Sequence, residues 1–113
     1  MAVIDRSGAV HHEPRLLDGS GIGRIDEIRA NFWELTALFG RDDYVDEADP
    51  AWAIRVESPD DRPTSIVLLH SYKDLRPRAY RHSLYTWSLN ADREAGWAVD
   101  RVKEVIEKHR KES

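Results

Sequence analysis

The sequence predicts an α+β domain: a two-layer sandwich in the order α-β-β-β-α, a three-stranded antiparallel meander with two helices on one face. Three observations lead there. The run "RIDEIRANFWELTALFG" carries apolar residues every three or four positions. Three runs of strand-forming residues follow it, separated by turn-forming and charged connections. A second run of helical period, after Asn90, closes the chain. Short connections favour strands that pair in sequence order.

Residues 1–23, "MAVIDRSGAVHHEPRLLDGSGIG", show no sustained periodicity and end in a Gly/Ser cluster. They read as a flexible N-terminal arm, docked in part through Val3, Ile4, Leu16 and Leu17, ahead of a single α+β domain over 24–113. In the first predicted helix Ile25, Ile28, Phe32, Leu35 and Phe39 share one face. Asp26 and Glu27 fall in its first turn, where the helix dipole favours acids. Gly40 ends it, since glycine takes the left-handed conformation without a Cβ penalty.

After Pro50, "AWAIRVE" alternates: Trp52, Ile54 and Val56 face one way, Ala53, Arg55 and Glu57 the other, as in a half-buried strand. "SPDDRP" is a turn. "TSIVLLHSY" is a continuous apolar run that predicts a central strand. "KDLRPRA" is a loop, because Pro77 cannot donate to a ladder. "YRHSLYTWSL" is the third strand, and the final helix begins near Asn90 or Asp92, with Ala95, Val99, Val102 and Ile106 as its buried stripe.

The 113 residues are one domain's worth, and 41% hydrophobic with 34% charged residues is the composition of a soluble globular protein. There is no cysteine, which excludes a disulfide scaffold, a thiol nucleophile and a cysteine-ligated metal. The opening residues lack the apolar core of a signal peptide, and no apolar run approaches the ~18 residues of a spanning helix. The expected location is the cytoplasm, that of its own cell or of a host. "HHEP" lacks the His-Glu-x-x-His spacing of a helical zinc site, and "GSGIG" lacks the Lys-Ser/Thr ending of a phosphate loop. "RDDYVDEAD" lacks the glycine and closing glutamate of a calcium loop. No metal and no cofactor are expected.

Charge is uneven in this chain of net charge −4. The segment from Asp42 to Asp61 has eight acids and one base, whereas His70 to His82 has four bases and one acid. If the second and third strands pair symmetrically about Arg76, then Tyr72 opposes Tyr80, His70 opposes His82 and Leu68 opposes Leu84, all on one face with Ile66. Val67, Leu69, Tyr85, Trp87 and Leu89 are then the face beneath the helices. The other face is too apolar to be left bare, so it is the expected working surface. Its candidate partner-binding residues are His70, Tyr72, Lys73, Arg76, Arg78, Tyr80, Arg81 and His82, since tyrosine and arginine anchor protein interfaces. Asp42, Asp43, Asp46 and Glu47 form a secondary acidic surface.

These residues predict a non-enzymatic binding protein with a protein partner, including a homodimer joined through the open sheet face. The alternative is a nucleotide or single-stranded nucleic-acid binder, in which Tyr and His stack bases and Arg and Lys hold phosphates. A metal-free ribonuclease using His70 and His82 as acid and base is one form of it. No Ser-His-Asp or nucleophile-elbow pattern is present, and no membrane partner is expected.

"LFG" before an acidic linker, then "WAIRVE", then a strand ending "HSYK", then "YTWSLN" before an amphipathic helix resembles small uncharacterised bacteriophage and prophage proteins of helix–three-strand–helix pattern. The resemblance runs from about Ile25 to Ile106, with Asn90 and Ala91 where a Gly is usual. It offers no catalytic residues to carry over. It implies a setting, an infected cell, in which such accessory proteins bind and inhibit host factors, defence systems among them.

Overall fold

The computed structural model describes residues 1–13, 23–40, 51–71 and 85–112. Its elements are β1 (Ala2–Ile4), β2 (Val10–His12), β3 (Gly23–Ala30), α1 (Phe32–Phe39), β4 (Ala51–Val56), β5 (Ser65–Ser71), β6 (Tyr85–Ala91) and α2 (Gly96–Glu112). The strands form one six-stranded sheet in the order β2-β1-β4-β5-β6-β3. β1 runs parallel to β4, and the other neighbours are antiparallel. The α+β class stands, but the expected three-stranded meander in the order α-β-β-β-α is corrected to a mixed six-stranded sheet.

Two segments account for the correction. The first is the predicted opening helix, which is a strand followed by a short helix. β3 pairs with β6 from Gly23↔Ala91 to Ala30↔Tyr85, with a bulge between Arg24 and Asp26. Asn31 then leaves the strand with extended backbone, and its side chain accepts from the Glu34 amide at 2.8 Å, capping α1. The i, i+3, i+4 spacing of Ile28, Phe32 and Leu35 arises because a strand residue facing the core is followed by a helix facing the same core. Gly40 closes α1 as expected, at φ 82°.

The second segment is the expected flexible arm over 1–23. Residues 2–4 and 10–12 are strands, and Ala2, Val3 and Ile4 are buried. β1 lies beside β4, Ala2 next to Ile54 and Ile4 next to Val56. Between β1 and β2 the Asp5 carboxylate accepts from the Ser7 and Ala9 amides, the Ser7 hydroxyl and the His11 ring. The Ser7 hydroxyl, then His11, hold the Asp5 carboxyl well below its ordinary range.

The core lies between one face of the sheet and the two helices. Ile4, Ile54, Val56, Val67, Leu69, Trp87 and Leu89 meet Leu35 and Phe39 of α1 and Val99, Val102 and Ile106 of α2. Trp52 and Trp87 are fully buried, with ring centroids 5.5 Å apart. Each indole N–H finds a backbone carbonyl, Gly40 O at 2.9 Å and Ala30 O at 2.8 Å. Polar bonds join α2 to the outer elements: Lys103 to Asp26 at 2.8 Å, and Arg110 to Glu34 at 2.6 Å and to the Arg29 carbonyl at 2.5 Å.

Candidate functional site on the sheet face opposite the helices

Because side chains alternate along a strand, the residues between the core positions of β4, β5 and β6 point to the other face. They are Ala51, Ala53 and Arg55 on β4, Ile66, Leu68 and His70 on β5, and Thr86, Ser88 and Asn90 on β6. Neither helix lies on this side. Ile66 and Leu68 are half-buried there.

A polar network occupies the centre of the face. The Asn90 amide nitrogen is 2.7 Å from His70 Nε2, and the Ser88 hydroxyl is 2.8 Å from the Asn90 amide oxygen. Ser88 is buried, while His70 and Asn90 are partly accessible. With the amide nitrogen donating, His70 Nε2 accepts and the ring proton sits on Nδ1. Turned by half a rotation, the amide accepts from an Nε2 proton and donates to the Ser88 oxygen instead. The network therefore accommodates either tautomer, and a protonated ring, by one amide flip.

Charged groups flank this centre. On β3, Arg24 pairs with Glu27, and Arg29 is exposed beside them. On the β1 side, Arg55 reaches Glu13 at 2.5 Å and lies 3.9 Å from Glu57. At the outer edge His11 is joined to Asp5. Among the described residues no group of three or more His, Asp or Glu is placed to hold a metal ion. Among them, too, no helix is long and apolar enough to cross a membrane.

Of the eight residues expected at the partner surface, the structure describes His70 alone. Tyr72, Lys73, Arg76, Arg78, Tyr80, Arg81 and His82 lie outside the described residues, as do Asp42, Asp43, Asp46 and Glu47. The expected register is corrected. His70 opposes Ser88, not His82, and Leu68 opposes Asn90, not Leu84. The shift is six residues, an even number, so the division of faces survives: Val67, Leu69, Trp87 and Leu89 are fully buried under the helices. Ala51, which opens β4, pairs with His70 near the end of β5.

Sequence reasoning missed Ser88, Asn90 and the β3 charges. The polar alternation Thr86, Ser88, Asn90 between Trp87 and Leu89 was a usable signal for the first two. A helical assignment of 24–30 hid Arg24, Glu27 and Arg29. The class these features define is a small α+β domain with one helix-covered and one polar-centred sheet face. No family model, no curated protein and no solved structure matches the chain.

Proposed function

We propose that this is a small non-enzymatic binding protein that acts by protein–protein contact through the sheet face opposite its helices, extended by the basic 70–82 stretch. The observation that carries the reading is the pairing of half-buried Ile66 and Leu68 with a connected His70–Asn90–Ser88 network on a face that neither helix covers. An interface centre of this kind joins apolar contact with a few placed donors and acceptors. The charged flanks, Arg24, Glu27 and Arg29 on one side and Arg55 and Glu13 on the other, match the polar rim of such a surface. The phage-like setting supplies the partner class: a host protein, including a component of a defence system, met in the cytoplasm.

The nucleic-acid alternative keeps its basic and aromatic residues, but its ribonuclease form loses the cross-strand His70/His82 pair, because His70 stands opposite Ser88. The test is co-purification from host lysate, comparing the native chain with Leu68→Lys and with Asn90→Arg. The expected result is a defined partner lost in both variants while each unfolds within a few degrees of the native chain. A partner list unchanged by either substitution overturns the reading. In parallel, salt-dependent binding to RNA or cyclic nucleotides would support the alternative instead.

A further inference from the structure

A groove on the helix side of the molecule, around Trp97, has no part in the surface described above. It consists of two adjoining hollows of about 360 and 270 Å³ that share Arg62 and Trp97. The β4–β5 connection forms one wall and the start of α2 the other. The apolar lining is the half-buried Trp97 ring with Ala95, Pro59 and Pro63.

The charges around it are unbalanced. Two arginines face five acids. Both arginines are already held: Arg62 lies 3.4 Å from Asp60, and Arg101 donates to the Arg6 carbonyl at 2.9 Å and lies 3.7 Å from Glu104. Asp92, Glu94 and Asp100 are exposed, and among the described residues none of the three is in an ion pair. Lys103, one turn beyond Asp100, is turned to Asp26. Asp92 and Glu94 stand just before the first turn of α2, where the helix dipole favours ionised carboxylates.

We infer that this groove is a second binding site, for an extended basic peptide segment of a partner protein. An aromatic ring beside the exposed carboxylates of Asp92, Glu94 and Asp100 suits arginine or lysine, whose stem lies on the ring while the head meets the acids. Two hollows with a shared wall suit two side chains on the same side of an extended segment, about 7 Å apart. A phosphate ligand is disfavoured, because the arginines are already paired and the rim is acidic. The chain's own basic stretch is attached at the far end of β5, six residues and about 20 Å from Ser65.

The test is a titration of the full, isotope-labelled chain with tetra-arginine, followed by the Trp97 indole and backbone amide resonances. Saturable shifts confined to 59–65 and 92–104, Trp97 included, are expected. Glu94→Lys with Asp100→Lys should weaken binding at least tenfold with the unfolding temperature retained. Glu107→Lys with Glu112→Lys, the same change of charge near the end of α2, should leave it within twofold. Shifts that do not saturate, equal weakening by both double variants, or Trp97 shifts with tripolyphosphate in place of tetra-arginine would each overturn the assignment. So would concentration-dependent self-association abolished by Glu94→Lys with Asp100→Lys, which would make the occupant a second copy.

Discussion

The two faces of the sheet are made from the same three central strands, yet they are built by different rules. Toward the helices, Trp52, Ile54, Val67, Leu69, Trp87 and Leu89 are fully buried, and the polar atoms of these side chains, the two indole nitrogens, are bonded to backbone carbonyls. On the other side stand Ala51, Ala53, Leu68, His70, Ser88 and Asn90, with a hydrogen-bonded network where the first face has a tryptophan pair. Apolar burial is worth about 25 cal/mol per Å², so the first face supplies most of the folding free energy. On the second face Ala51, Ala53 and Ser88 are buried too, but Ile66, Leu68, His70 and Asn90 keep part of their surface for what they meet.

Substitutions at five positions test the fold behind that contrast. Trp87→Ala should have the largest effect, about 4 kcal/mol, since it opens a cavity beside Trp52 and leaves the Ala30 carbonyl without its donor. Urea unfolding measures it, and a loss below about 2 kcal/mol would show that the core does not depend on the tryptophan pair. The next comparison sets neighbours on one strand against each other. Leu69→Ala should cost about 3 kcal/mol and Leu68→Ala about 1 kcal/mol or less, because Leu69 is fully buried and Leu68 half-buried. Equal losses would mean that both faces are structural.

Asn31→Ala should cost about 1 kcal/mol through the lost cap of α1, with Asn31→Ser restoring most of it. If the alanine variant is as stable as the native chain, the helix does not begin where the cap places it. The smallest effect belongs to Asp26 and Lys103, both more than a third exposed, a pair worth about 0.5 kcal/mol after solvent screening. The Lys103 hydrogen bond holds the Asp26 carboxyl below its ordinary 3.8, and Asp26 raises Lys103 above 10.5. Asp26's share is therefore full above pH 3.8 and lost as pH falls through its lower folded value; that of Lys103 is lost as pH rises through its raised one. A pH series of unfolding midpoints should show Asp26→Asn less stable at pH 7, with the difference shrinking as pH falls below 3.8.

The contrast between faces was legible in the sequence where alternation is long enough to see. β5 and β6 each run seven residues; parity divides their faces, and the larger apolar payload puts Val67, Leu69, Trp87 and Leu89 in the core. The same parity survived a wrong register, because the symmetric hairpin about Arg76 missed by an even number. β1 and β2 were not legible. Three residues carry no period, and the parallel contact of Ala2 with Ile54 has no local signature. β3 was misread because a bulge breaks its alternation and Ile28 is in step with the helix beyond Asn31. Asn31 followed by Glu34 three residues on was the signal that a helix starts there, not at Arg24. Of the site, the face was legible and its centre was not: the expected register sets His70 opposite His82, whereas it stands opposite Ser88 and is hydrogen-bonded to Asn90.

The central claim is that the face opposite the helices is the one that meets a partner. A photo-crosslinking residue placed in the intact chain at Leu68, on that face, or at Ala37, exposed on α1, tests it directly. A single covalent partner adduct is expected at position 68 and none at position 37. Adducts at 37 and none at 68, in chains that remain folded, would contradict it.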